Sequence, residues 1–289
     1  MAATATLTRG LAPRAAWPTR LMTAMRRQPL LVVSGLLVLS LLVAALFPDW
    51  ISNKPTSGLN MKAAFKPPSW TYPFGTDEAG RDIFTRVVHG TRYSLGMALG
   101  IVLIAAVFGT VYGAISGFAA GWVDEAMMRV VDIFLAFPAF VLAMAIAVAA
   151  GRGIRSVVIA LAIIWWPGYA RMIRGMVLGL KENVWVDAAR ALGAPTSRLI
   201  LRHILPFTVA ELNVRITVEI GYALVAVTSL SFIGLGASRP TPEWGLLIAD
   251  GRRYVTSAWW YPIFPGIAIY AATMVFSLFG DALAECRRR

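Results

Sequence analysis

The stretch Val186–Pro206, VDAARALGAPTSRLILRHILP, is a polar, basic interruption between two long apolar runs. Its first part, Val186 to Leu192, is dominated by good helix formers. Gly193-Ala194-Pro195 ends that helix, because glycine is a common C-cap and proline cannot continue the hydrogen-bond ladder. A second helix is expected from Thr196 or Ser197, entering a new apolar span past Pro206. Two short helices joined by a tight glycine turn make a compact cytoplasmic knob between membrane spans. The bland alternative is a solvated loop between the same spans.

The composition requires those spans. Hydrophobic residues make up 58% of the 289 positions, charged residues 15%, and the mean hydropathy is +0.67. Several apolar runs approach the ~20 residues that carry a helix across the hydrocarbon core of a bilayer. A β-barrel would show short alternating segments, and these runs do not alternate. The formal net charge of +12 suits anionic lipid and the positive-inside rule better than nucleic acid, because the basic residues cluster beside the spans. The one cysteine, Cys286, excludes an intrachain disulfide.

Taken in order, residues 1–29 form a basic cytoplasmic tail with Arg9, Arg14, Arg20, Arg26 and Arg27 and no acidic residue. Leu30–Phe47 reads as an uncleaved signal anchor. Residues 30–73 are thus the first transmembrane helix and an extracytoplasmic loop rich in Pro, Lys, Asn and Trp. In Gly75-Thr76-Asp77-Glu78-Ala79-Gly80-Arg81-Asp82, Thr76 or Asp77 is a plausible N-cap for a short amphipathic helix through His89. Asp77, Arg81 and Asp82 are expected to cluster there. Further spans are expected near Ser94–Phe118, Val130–Ala150 with a kink at Pro138, Val157–Leu180, Pro206–Gly236 and Ile263–Leu283. The second carries Gly109, Gly113 and Gly117, a small-residue stripe suited to close packing within the bundle. Ala237–Pro262 lies outside, its tryptophans suited to a membrane interface. Six spans put both termini in the cytoplasm.

Several motifs carry a resemblance. Asp187-Ala188-Ala189, three residues, Gly193 and then Leu205-Pro206 resemble the EAA loop of binding-protein-dependent ABC importers, with Asp187 where that family usually has Glu. Arg202–Pro206 resembles the dipeptide/oligopeptide/nickel branch, and residues 75–82 look like its GTDxxGRD signature. Leu230–Gly236 is similar to its LSFLGLG segment. The resemblance covers roughly residues 20–285.

It implies an all-α membrane protein of six helices, a type I ABC importer permease bundle over residues 74–289, with an EAA-type coupling loop at 183–206. Asp187, Ala188, Ala189, Gly193, Arg198 and Pro206 would then meet an ATPase subunit. The implied partners are a second homologous permease, two ATP-binding cassette subunits and an extracytoplasmic solute-binding protein in a bacterial inner membrane. No cofactor is expected on this chain, since ATP and Mg²⁺ would sit on the ATPases. The sequence agrees: no G-x-x-x-x-G-K-[ST] or H-E-x-x-H occurs, and no catalytic or metal site is expected.

Glu211, Arg215 and Glu219 fall at i, i+4 and i+8, on one face of the fifth span. Arg215 lies roughly 13 Å beyond Pro206 at ~1.5 Å per residue, where a charge must be paired or face water. An internal ion-pair ladder is expected, either neutralising itself at a helix interface or lining a solute pathway. Two other classes fit the spans alone: a channel or ion-driven secondary transporter, and a structural membrane protein. Neither needs a docking knob.

Overall fold

The computed structural model describes residues 29–288. The arginines of the basic tail, and the side chains of the Arg287–Arg289 run, lie outside the described residues. Nine helices follow in order among the described residues: α1 (Pro29–Leu46), α2 (Ile83–Ala119), α3 (Gly121–Ala136), α4 (Ala139–Ala149), α5 (Ile154–Leu180), α6 (Val184–Ala191), α7 (Thr196–Ile233), α8 (Trp244–Gly251) and α9 (Trp260–Arg288). No strand occurs among them, only an isolated bridge between Thr76 and Asp82. Five helices (α1, α2, α5, α7 and α9) are long and apolar enough to cross a membrane. The α3–α4 pair makes a sixth span when taken together.

The centre of the bundle is α2 against α5. A Cβ on Gly109 would strike the Trp166 carbonyl, one on Gly113 that of Ala170, and one on Gly117 that of Arg174. The glycine stripe therefore packs inside the bundle, as expected, and lets two backbones touch. The contacts climb together along both helices, so α2 and α5 run parallel, and α3–α4 must return the chain across the bundle between them. The α1 helix lies on the outside against α2 and α9. Arg92 of α2 fixes its end, donating from Nε to Ala45 O at 3.0 Å and from Nη2 to Leu46 O at 2.7 Å. These are carbonyls that the helix itself leaves unpaired.

Three expectations are corrected. The third span is not one kinked helix but two, bent by 91°. Phe137 before Pro138 is extended (φ −89°, ψ 145°), as the proline ring requires of its neighbour. Residues 121–129, which fall between the second and third expected spans, are helical as well, and Ala120 and Gly121 make the reversal at φ 57° and 60°. The short amphipathic helix does not start at Thr76 or Asp77. Asp82 is the N-cap, accepting from Phe84 N, and the helix then runs unbroken for 37 residues through the second span. The second knob helix starts at Thr196 and enters the next span, as expected, through a π-helical turn at Leu199–Ile204.

The segment 237–262 is a packed cap built around α8. Glu243 N-caps α8, accepting from Gly245 N at 2.9 Å and Leu246 N at 2.8 Å. Burial pushes its carboxyl up in pKa, and those N–H groups hold it back. Trp244 and Trp260 are interior residues rather than interfacial ones. Trp244 Nε1 donates to Val87 O at 2.8 Å, and Trp260 Nε1 to Thr76 O at 3.2 Å. Trp259 is exposed.

Candidate functional site

Three groups of residues stand out. The first is the knob. Val186 is fully buried among Ile173, Val177, Leu199 and Ile204, and Ala189 packs against the same cluster, so α6 is pinned to the C-terminal end of α5 and the N-terminal end of α7. Helix α6 ends in a Schellman motif: Ala194 N donates to Ala189 O at 3.1 Å and Gly193 N to Arg190 O at 3.0 Å. Gly193 has φ +80°, as its position in the turn demands. A Cβ there would meet nothing within 4 Å, so the glycine serves the turn and not a close approach within this chain.

Asp187, Ala188, Arg198 and Pro206 are exposed on this knob, and Asp187 bonds Arg190 Nη1 at 3.0 Å. Trp185 lies beside the rings of His203 and Phe207, tying α6 to α7. Sequence reasoning passed over Val184 and Leu192. Both are apolar, and they are 84% and 88% exposed at the two ends of α6. The signal was available in two large aliphatics at the two ends of a short segment that also carries Asp187 and Arg190.

The second group is the loop 75–82, and its role is structural. Asp77 is fully buried and every bond it makes is internal. Its Oδ1 accepts from Ala79 N and Arg81 N, both at 2.9 Å. Its Oδ2 accepts from Arg81 Nε at 2.7 Å and Arg86 Nη1 at 2.6 Å. The expected Asp77–Arg81–Asp82 cluster is therefore only half right. Asp82 turns away to Lys54 Nζ at 2.7 Å, and the missing partner of Asp77 is Arg86. Thr76 Oγ1 accepts from Lys66 N at 2.8 Å. Gly75 and Gly80 both have φ +72°, and a Cβ on Gly80 would overlap the Asn60 carbonyl.

The third group lines a groove of about 920 Å³ between α4, α5, α7 and α9. Glu211, Arg215 and Glu219 all face it, with an aromatic wall of Phe140, Trp165 and Tyr222. Arg215 Nε donates to Glu219 Oε1 at 2.8 Å, and the guanidinium lies 4.9 Å from the centre of the Tyr169 ring. Gly168 provides the space, since a Cβ there would come within 2.6 Å of Arg215 Nη2. The expected ladder is thus formed at its Arg215–Glu219 step.

Where the C-terminal parts of α2 and α5 meet the start of α3, Arg174 donates to both oxygens of Asp124 at 2.6 Å, and Ser116 donates to Asp124 as well. Fifty positions separate Asp124 from Arg174, so no local pattern announces the pair.

Residues 109–286 match the family model described as the binding-protein-dependent transport system inner membrane component. The chain is 38% identical over 266 residues to the probable D,D-dipeptide transport system permease protein DdpC of Escherichia coli (strain K12), covering 92% of this chain and 89% of that one. The chain belongs to this family of inner membrane transport components. A glutathione transport system permease protein, GsiD, of Escherichia coli O6:K15:H31 (strain 536 / UPEC) is 40% identical over 261 residues, covering 90% of this chain and 86% of that one. A putative peptide transport system permease protein of Brucella suis biovar 1 (strain 1330) is 41% identical over 264 residues, covering 90% and 88%. The fold is also that of the MetNI methionine ABC transporter, solved in inward-facing conformations, with a TM-score of 0.58 at 17% identity over 71% of this chain and 97% of that one.

The protein is therefore a permease subunit of an ABC import system, built on the type I permease fold. The family match contains the knob and the groove, while α1 and the 75–82 loop precede it.

Proposed function

We propose that this permease carries peptides or a related small solute inward across the cytoplasmic membrane, driven by ATP hydrolysis on separate subunits. The observation that carries the coupling is the knob: a short helix pinned by Val186 yet presenting Val184, Asp187, Ala188 and Leu192 outward. A helix so exposed and so firmly seated suits docking in a groove of an ATP-binding cassette subunit, with Gly193 holding the turn and Arg198 and Pro206 beside it. A second homologous permease completes the pathway, and an extracytoplasmic binding protein delivers the solute to the outer cap. ATP and Mg²⁺ belong to two cassette subunits. The peptide assignment follows relatives named for dipeptide, peptide and glutathione transport. Within this chain, residues 1–29 are the cytoplasmic tail, 30–73 the first span and its outer loop, and 74–289 the transport domain.

Proteoliposomes holding both permeases and both cassette subunits, supplied with the binding protein, are expected to take up labelled dipeptide only with ATP. Uptake that persists without the cassette subunits would overturn the proposal. Topology is checked separately. Ser57→Cys and Ser238→Cys, both exposed, are expected to react with a membrane-impermeant thiol reagent in intact cells while Cys286 stays protected. Reaction of Cys286 would place the C-terminus outside.

A further inference from the structure

We propose that the end of the bundle opposite the knob is a docking surface for an acidic protein face, and that this face belongs to the extracytoplasmic solute-binding protein. The proposal rests on the import reading and the topology above, and adds the chemistry by which that partner is held. Four contacts gather the segments involved. Arg92 of α2 holds the end of α1. Gly153 N, just before α5, donates to Leu235 O, just after α7, at 3.0 Å. Trp244 reaches Val87 near the start of α2, and Trp260 at the start of α9 reaches Thr76. Residues 47–82 and 234–259 therefore stand over one end of the bundle, outside the spans, while the knob lies at the other end of α5 and α7.

Charge at this end is unevenly engaged. Asp77 takes Arg81 and Arg86, Asp82 takes Lys54, Asp250 takes Arg239 at 2.7 Å, and Glu243 caps α8. Glu78 lies 3.5 Å from Arg81 and 3.8 Å from Arg239. Of the carboxylates here only Asp49 is exposed. Lys62, Lys66, Arg152, Arg155 and Arg253 are exposed too, and their charged groups make no hydrogen bond or ion pair among the described residues. The surface left to a partner is thus strongly positive. It is also continuous. Phe65 packs on Tyr254 with 4.8 Å between ring centroids, so the lysine loop adjoins Arg253. Arg152 and Arg155 line one hollow with Ser238 and Thr241, beside Arg239.

Lipid does not account for these cations. The topology above puts this end outside, whereas membrane proteins concentrate Lys and Arg in their cytoplasmic loops. The negative surface potential of a bilayer likewise belongs to its cytoplasmic leaflet. The apolar residues interleaved with the cations point to a protein. Leu59, Met61 and Trp70 are 78%, 71% and 103% exposed in the lysine loop. Trp, Met and Arg are the residue types that protein interfaces favour. An acidic face would be steered in by the cations and seated on these side chains.

The test uses the complete complex of both permeases and both cassette subunits in phosphatidylcholine nanodiscs. Its ligand is the solute-binding protein that supports uptake in the proteoliposomes above, and the measurement is the Kd between the two. Changing Lys62 and Lys66 together to Gln is expected to raise Kd about threefold at ~0.1 M salt, and changing both to Glu about tenfold. Arg253→Glu is expected to act in the same direction. The differences should shrink to within twofold at ~1 M salt, where the screening length falls from ~10 Å to ~3 Å. Values within twofold of wild type at low salt, for both the lysine pair and Arg253, would overturn the proposal while leaving import intact. So would a loss of affinity that persists undiminished at ~1 M salt. A loss that appears only when phosphatidylglycerol is added to the nanodiscs would assign the cations to lipid instead. Loss of the second permease from the purified variant would assign them to that subunit. A wild-type complex that neither binds the solute-binding protein nor takes up dipeptide would overturn the import reading, and this proposal with it.

Discussion

Asp77→Ala is expected to remove most of the folded protein from the membrane. Asp77 is fully buried, as is Arg86, and Arg81 is nearly so. The substitution strands two guanidinium groups and frees the N–H groups of Ala79 and Arg81. Breaking a buried ion pair by removing one partner costs ~3–5 kcal/mol, against a total stability of only ~5–15 kcal/mol. The effect should extend beyond the loop, because the same segment seats Asn60 against Gly80 and Trp260 against Thr76. Detergent-solubilised variant and wild type are to be compared by size-exclusion profile and thermal unfolding. A monodisperse peak at wild-type yield with an unchanged melting temperature would show that the cluster is dispensable. Adding Arg86→Met to Asp77→Ala removes one of the stranded charges, so the double variant is expected to recover part of the loss.

Gly193→Val should spare the fold and remove the activity. Gly193 sits at φ +80°, where a β-branched residue is strongly disfavoured. Yet a Cβ there has open space around it, so no clash spreads into the bundle. Strain of this kind costs ~1–3 kcal/mol, enough to populate other arrangements of the turn and to move α6 off its seat. Membrane insertion and yield are expected to match wild type while ATP-driven uptake falls at least ~10-fold, the rate equivalent of 1.4 kcal/mol. Gly193→Asn, which tolerates the left-handed region, is expected to retain most of the uptake. Normal uptake by the valine variant would remove the knob from the coupling route.

The spans and the knob were legible because their signals are local. An apolar run of bilayer length declares itself, and Gly193 followed by Pro195 allows few conformations. The spacing of Glu211, Arg215 and Glu219 likewise put them on one face from sequence alone. Which face that was, and that Tyr169 and Gly168 would receive the guanidinium, depended on where α5 came to rest. Partners distant in the chain were the consistent loss: Arg86 for Asp77, Lys54 for Asp82, Arg174 for Asp124. The break at Pro138 was visible, but its 91° was not, since a proline states that a helix is disturbed and the neighbouring helices decide how far. Trp244 and Trp260 misled because interface and interior both favour an indole whose N–H finds an acceptor.

The seam between α2 and α5 has a mechanical consequence. Its notches at Gly109, Gly113 and Gly117 and its teeth at Trp166, Ala170 and Arg174 both recur every four residues. A slide by a fraction of a turn would drive side chains of one helix into the backbone of the other. The next seat lies a whole turn away, ~6 Å at 1.5 Å per residue. The two helices therefore behave as a single spine with no gear between its stops. Any rocking that carries a solute across must be taken up where the chain is already articulated, at the elbow between α3 and α4 and at the turn on which the knob is hung.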